Sequence, residues 1–375
     1  MSCERDLTFL EFFAGGGMAG IGLGARWRCV FANDFDPMKR AAYGANFGLE
    51  NHSGADIHSL ALADLPAGRA DLAWASSPCQ DLSLAGGRGG LEGGRSGAFF
   101  GFWRLIEALE RDGRAPRLVV LENVVGLLTS NGGGDFRRVV GLMAASGYLV
   151  SALVLDASDF TPQSRPRLFI VAAREDAAGV FAAAPPPSTP APLALAAATL
   201  SASARKNWRW ISAAPRRVRN LSLIDVVDES APFDPAASTR ARLAAMAPRQ
   251  RAAIEELKNS GARHVGAAFR RVRIENGVKR CRIEARFDGV AGCVRTAAGG
   301  SSRQIVFDID GGNVRSRLMT PREAARVMGL PDDYVLPERA TAAFKLIGDG
   351  VAPPVVSWLA AAVLEPALVP ARKAA

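Results

Sequence analysis

Six apolar runs of four to eight residues alternate with amphipathic stretches over the first 172 residues, and this alternation constrains the fold more than any other feature. Residues 7–13, 29–33, 71–76, 118–121, 149–156 and 168–172 read as strands. Residues 18–25, 37–46, 98–109 and 136–145 carry helical periodicity between them. Such a series predicts the α/β class: a doubly wound, mostly parallel sheet covered by helices. Ligands in that architecture sit beyond the carboxyl ends of the strands. The chemistry-bearing residues of this chain cluster at those ends.

The first strand runs into Phe13-Ala-Gly-Gly-Gly-Met-Ala-Gly20, where Gly15-x-Gly17-x-x-Gly20 opens a helix. Glycines at that place allow a tight turn and close backbone approach to a nucleotide-type cofactor. Asp34 ends the next strand, where an acid can grip ribose hydroxyls, and Phe35 beside it can stack on an adenine. Asp56 can accept from the adenine amino group. The same turn also serves plain helix–strand packing, and the pattern does not separate nicotinamide cofactors from S-adenosylmethionine.

The third strand stops at Pro78-Cys79 and is followed by a glycine-dense loop at 86–94. An isolated cysteine is usually a small buried hydrophobe. Here the thiol leaves a strand end beside a loop able to close over a substrate. Arg165 and Arg167 precede the last strand, and positive charge near a thiol favours the thiolate. Glu122 ends the fourth strand beside Asn123, partly buried and able to hold a proton for donation. Singly, the Glu-Asn pair reads as a satisfied strand end and the arginines as surface ion pairs. Together they indicate covalent chemistry on a flat, electron-poor substrate.

Charge is unevenly placed along the 375 residues. The net charge is +9, yet 201–320 alone hold 23 Lys/Arg against 11 Asp/Glu, leaving the rest at −3. A basic segment attached to a near-neutral catalytic part is what a polyanion-binding enzyme needs, although an arginine-rich solvated surface has the same composition. The Ala/Pro stretch at 183–192 reads as a linker, and Thr320-Pro-Arg-Glu323 as a helix start with a capping box. An apolar helix over about 355–364 is expected to pack back on the sheet. The expected organisation is a catalytic, cofactor-binding part at 1–184, a basic insert at 185–292 and a return segment at 293–375. Cysteines 3, 29, 79, 281 and 293 form no Cys-x-x-Cys pair, so neither disulfides nor a metal site is expected, and a reducing cytoplasm is the default. No secretory signal and no uninterrupted membrane-length run is read in the sequence.

In their order the motifs resemble those of the DNA (cytosine-5)-methyltransferases, over most of the chain. Phe13-Ala-Gly-Gly-Gly resembles the family's S-adenosylmethionine turn and Asn33-Asp-Phe-Asp36 its ribose and adenine segment. Ser77-Pro-Cys-Gln80 resembles the nucleophile motif, Glu122-Asn-Val124 the acid motif and Gln163-Ser-Arg-Pro-Arg167 the paired-arginine motif. Arg317-Leu-Met-Thr-Pro-Arg-Glu323 with Met328-Gly-Leu-Pro331, and Gly348-Asp-Gly-Val351 with Pro353-Pro354, resemble the late motifs. Met18 stands where the family turn has glycine, and Asp349 where its closing motif has asparagine.

The resemblance implies a Rossmann-like methyltransferase fold with a smaller target recognition domain, and S-adenosylmethionine as cofactor. It implies a sheet-edge cofactor site of Phe13, Ala14, Gly15, Gly17, Asp34, Phe35, Asp56, Ile57, Pro78 and Asp349. It implies Cys79 as nucleophile, Glu122 as acid at the cytosine ring, Arg167 against the base and Arg165 beside it. Gln80, Ser83, Asn123, Gln163, Arg270, Arg271 and Arg273 are the implied DNA contacts. Double-stranded DNA is the expected partner, acted on by base flipping. A separately encoded restriction endonuclease, a monomeric state and a cytoplasmic, nucleoid-associated location go with that reading. A transfer-RNA cytosine-5 methyltransferase carries the same catalytic residues and is the nearest alternative; a catalytically inactive nucleic-acid-binding module is a remote one.

Overall fold

The computed structural model describes residues 6–78, 97–213, 218–275, 277–296 and 303–369. Cys79, Gln80, Ser83 and the glycine-dense loop at 86–94 lie outside the described residues. The chain divides into two compact units. One comprises 1–156, 166–216 and 350–375, the other 157–165 and 217–349.

The first unit is built on seven strands: β1 (Leu7–Phe12), β2 (Trp27–Asn33), β3 (His52–Ser53), β4 (Leu72–Ser76), β5 (Leu118–Val124), β6 (Leu149–Asp156) and β7 (Pro166–Ala173). Their order is β3-β2-β1-β4-β5-β7-β6, and β7 alone runs antiparallel to its neighbours. The expected doubly wound, mostly parallel sheet is what forms. The apolar runs Leu-Ala-Trp-Ala and Leu-Val-Val-Leu suit β4 and β5, which are buried on both faces. Strand order reverses between β1 and β4, which opens a crevice at their carboxyl ends.

Helices α1 (Met18–Leu23), α2 (Pro37–Phe47), α3 (Ala98–Arg111) and α4 (Gly134–Ala145) follow β1, β2, β4 and β5. Asp36 caps α2 by accepting from the amides of Met38 and Lys39, with Pro37 in the first turn. One face of α3 buries Phe99, Phe102, Trp103 and Ile106. With Phe136, Tyr148 and the apolar strand residues these form the main core. Each such side chain contributes on the order of 2–3 kcal/mol by burial.

Division of the chain differs from the sequence expectation. The Ala/Pro stretch does not open the second unit; Pro190 leads into α5 (Ala191–Ala198), followed by α6 (Ala202–Asn207). Leu193, Ala196, Ala197, Leu200, Ala204 and Trp208 join the main core, with the Trp208 ring edge-on to Phe136 at 5.9 Å. A short pair, β8 (Phe181–Ala182) with β9 (Trp210–Ile211), completes this extension. The boundaries therefore fall at 216/217 and 349/350 instead of 184/185 and 292/293, and 157–165 belongs to the second unit.

The second unit carries α7 (Leu223–Val226), α8 (Ala236–Ala244) and α9 (Pro248–Asn259) before a four-stranded antiparallel sheet. Its strands β10 (Arg263–Glu275), β11 (Val278–Arg286), β12 (Ile305–Asp310) and β13 (Asn313–Leu318) lie in the order β11-β10-β12-β13. Met246, Ile254, Ile283, Ile305, Phe307 and Ile309 form its core. Helix α10 (Pro321–Met328) starts at the predicted capping box, with Thr320 accepting from the Glu323 amide at 3.2 Å. The carboxylate of Glu323 is fully buried on the Arg317 guanidinium, which holds its pKa below the usual range against the rise that burial alone would cause. Helix α11 (Ala340–Asp349) ends the unit.

Back in the first unit, α12 (Pro353–Leu359) packs on α1, and α13 (Glu365–Leu368) follows it. Ser357 donates to the Gly22 carbonyl at 2.7 Å, and Glu365 accepts from Arg26 and Trp27 at 2.9 and 3.1 Å. The stretch Ala340–Leu368 has the length and mean hydropathy (1.5) of a membrane span, but 61% of that window is buried inside the protein, as in a core helix. Met18, unusual for the turn, is buried and packs on the bare backbone of Gly350. The larger side chain is thus absorbed inward.

Candidate active site

The carboxyl edge of the first unit's sheet gathers Phe13, Ala14, Gly15, Gly17, Asp34 and Phe35 of the predicted cofactor residues, whereas Asp349 belongs to the second unit. Gly15 and Gly17 hold left-handed conformations, φ +56° and +73°. Phe13 does so too at +57°, a strained value for a bulky residue and typical of a functional turn. Ala14 is buried and donates its amide to the Asn33 carbonyl at 2.9 Å, which ties the turn to β2. Asp34 is buried with one carboxylate oxygen accepting from the Gly15 amide at 2.9 Å and the other from the Asp36 amide at 3.0 Å. Each oxygen retains a second lone pair for a hydroxyl. Phe35, next to it, is 63% exposed.

A Cβ added at Gly15 would meet nothing within 4 Å, so the turn faces open space. A buried acid with lone pairs to spare, an exposed ring and an open glycine turn on one edge fit a nucleoside-bearing group. Asp56 is exposed and its carboxylate accepts from the His58 amide at 2.8 Å. The Ile57 side chain instead belongs to the main core, so only its backbone is available to a ligand.

On the adjoining strands, Ser76 of β4 pairs with Glu122 of β5. The Glu122 carboxylate is 7% exposed and meets the Arg167 guanidinium, from the start of β7, at 3.1 Å. Register explains the meeting: Arg167 pairs with Val124 across the antiparallel β5–β7 ladder, two residues along β5 from Glu122. Ser77 and Pro78 leave β4 directly beside this pair and lead to Cys79. Asn123, expected to contact DNA, is buried; it accepts from the Val124 amide at 2.9 Å and donates to the Ser77 carbonyl at 3.5 Å. Its role is to hold the strand end from which the Pro-Cys loop departs.

In the second unit two further expectations are corrected. Gln163 is fully buried, not DNA-facing. Its amide donates to the Val327 carbonyl at 3.2 Å and accepts from the Val294 amide at 2.9 Å. Arg165 is 3% exposed and spends its guanidinium on the carbonyls of Val294 and Gly348, at 2.8 and 2.7 Å. It braces the chain before Asp349, and Asp349 accepts from the Thr296 hydroxyl at 2.6 Å. Among the described residues no group of His, Cys, Asp and Glu is arranged to hold a metal.

Glu11 was not singled out from sequence, although an acid inside the apolar run of β1 is the signal. Its carboxyl lies 2% exposed under the glycine turn, and the amides of Ala19 and Gly20 point to it. Burial pushes its pKa up to about 8, and the charge of Asp34 adds to the rise. Burial and Glu11 also push the Cys29 thiol up to about 12, so Cys29 is an unreactive thiol. Because the folded form binds the Glu11 proton more tightly than an unfolded chain, this group favours folding below pH ~4.5 and loses that contribution as pH rises through about 8. The difference amounts to on the order of 5 kcal/mol. Glu11→Gln is therefore expected to flatten the fall in melting temperature between pH 5 and 8.5; parallel curves for the two proteins would refute the buried-acid assignment.

Comparison with known proteins agrees with the geometry. The family described as C-5 cytosine-specific DNA methylase matches residues 7–365. The chain is 27% identical to the type II methyltransferase M.HpaII of Haemophilus parainfluenzae, over 96% of this chain and 90% of that protein. It is 34% identical to M.BsuFI of Bacillus subtilis, where the match spans 45% of this chain and 40% of the relative. Among solved structures, the S. pombe Dnmt2 methyltransferase superposes with a TM-score of 0.57 at 18% identity, covering 96% of this chain and 99% of that one. That last likeness bears on the fold alone. The chain belongs to the C-5 cytosine-specific DNA methylase family.

Proposed function

We propose that this protein transfers a methyl group from S-adenosylmethionine to carbon 5 of cytosine within a short word of double-stranded DNA. The observation that carries the reading is the Glu122–Arg167 pair at the strand ends where the Ser77-Pro78 segment departs, on the sheet edge that also holds Gly15, Asp34 and Phe35. When bound, S-adenosylmethionine supplies an electrophilic methyl group. Asp34 would hold its ribose hydroxyls, and the exposed Phe35 would cover its adenine ring.

Carbon 5 of cytosine is a weak nucleophile, so the enzyme must raise its electron density. The Cys79 thiolate forms a bond to carbon 6, and the electron pair displaced toward the ring is drawn by Glu122, which supplies a proton at nitrogen 3. Arg167 holds Glu122 in place and faces the base. After carbon 5 gains the methyl group, leaving the donor as a neutral thioether, the carbon-5 proton leaves to solvent base, the nitrogen-3 proton returns to Glu122, the carbon–sulfur bond breaks and the ring is restored. A stacked base cannot meet Cys79, so the cytosine is flipped out of the duplex. The matching family is the C-5 cytosine-specific DNA methylases and the relatives are type II methyltransferases, which does not favour the transfer-RNA alternative. A cognate endonuclease, a monomeric state and a cytoplasmic location belong to the same proposal.

Expression in a methylation-free bacterial host followed by bisulfite mapping tests it. Protected cytosines confined to one short repeated word are expected. Complete conversion, from folded protein that still binds S-adenosylmethionine, would overturn the DNA assignment.

A further inference from the structure

The second unit contains a feature that the methylation chemistry does not use. β10 pairs with β12 only over Arg263–Ala268, whereas its pairing with β11 continues from Ala267 to Glu275. Beyond Ala268 the sheet thus narrows to a two-stranded ribbon. Side chains alternate between faces along a strand, and directly opposite residues share a face. Register therefore places Arg271 opposite Arg282 and Arg273 opposite Arg280, all four on one face. The other face carries Arg270, Val272, Ile274, Lys279 and Cys281.

Like charges directly opposite each other destabilise a ribbon. Two successive arginine pairs are a cost in the free protein, and Glu284 partly offsets it. Its carboxylate meets the Arg271 Nε at 3.1 Å and accepts from the Arg273 Nε at 2.6 Å. Arg271 and Arg273 nevertheless remain about half exposed, and Arg271 also lies 4.5 Å over the Phe269 ring. An anion placed between two guanidiniums relieves the repulsion that a neutral base edge leaves in place. Successive pairs lie two residues apart, about 6.7 Å, near twice the 3.4 Å rise per nucleotide of a DNA strand. A two-stranded ribbon also fits the major groove.

Resting on the DNA reading above, the geometry points to the Arg271/Arg282 and Arg273/Arg280 pairs as two consecutive phosphate clamps on the target duplex. Glu284, on Arg271 and Arg273, is an internal competitor that the duplex displaces. The clamps position the enzyme and do not choose the word.

Duplex binding is measured against salt for full-length variants whose melting temperatures match the parent. R273Q/R280Q is expected to lower the slope of log affinity on log salt by about 1, and adding R271Q/R282Q by about 1 more. Affinity at 0.1 M salt should fall about tenfold or more per clamp. E284Q is expected to tighten binding about two- to fivefold. V272S/I274S, on the opposite face, should leave the slope unchanged. At low salt and saturating DNA each variant should methylate the parental word. An unchanged slope in the arginine variants, equal effects from both faces, or a relaxed word would overturn the clamp assignment. Each of those results still leaves cytosine methylation by the parent protein as the separate test of the DNA reading.

Discussion

Cys79→Ser is expected to reduce methyl transfer by at least ~10³-fold while leaving S-adenosylmethionine affinity within a few-fold of the parent. A serine hydroxyl is a far weaker nucleophile and is not ionised near neutral pH, so the bond to carbon 6 does not form. Cofactor affinity should persist because Gly15 and Asp34 are fixed by hydrogen bonds within the β1–β2 edge, independent of the thiol. Transfer of a labelled methyl group to duplex DNA, with donor binding followed separately by titration, reads both quantities. Sustained transfer by the serine variant would remove covalent catalysis from the mechanism. The other cysteine of the first unit's described sheet cannot stand in, since burial holds the Cys29 thiol protonated.

Glu122→Gln is expected to lower kcat by about 10²–10⁴-fold with DNA affinity changed only a few-fold. Glutamine keeps the shape and one hydrogen bond but cannot release a proton to the ring. It also leaves the Arg167 guanidinium, 16% exposed, without its carboxylate at 3.1 Å. A loss arising only from that broken pair would lower the melting temperature and weaken DNA binding along with kcat. A loss arising from proton chemistry lowers kcat alone and alters its pH profile. Equal loss in kcat and DNA affinity would make Glu122 a structural residue.

The fold was largely readable because its strands are continuous apolar runs of four to eight residues, too short for core helices, and amphipathic helical stretches separate them. Thr320 and Glu323 marked the start of α10 for an equally local reason, a capping box. The site was readable in part. Asp34 and Glu122 stand at strand ends, where an acid is conspicuous. Glu11 sits inside a strand, and only burial distinguishes it from a surface acid. Gln163 and Arg165 looked like ligand-facing groups, but their partners are backbone groups remote in sequence, at Val294, Val327 and Gly348. The 185–292 boundary failed because Pro190 and the alanines after it form a helix whose Leu193, Ala196 and Ala197 are core. Which arginines share a face of the ribbon depends on the register of two strands, and one strand's sequence does not contain it.

The path of the chain between the two units sets limits on recombination. The backbone passes from one unit to the other after residues 156, 165, 216 and 349. Segment 185–292 is therefore not a cassette that can be exchanged between related chains without breaking both units. That cut removes α5, α6 and Trp208 from the catalytic core and leaves β12, β13 and α10 behind. A chimera that respects the fold exchanges 217–349 and keeps 157–165 matched to it. The nine-residue excursion, with Gln163 and Arg165 bonded into the 217–349 segment, is the part of the second unit that sequence position assigns to the first.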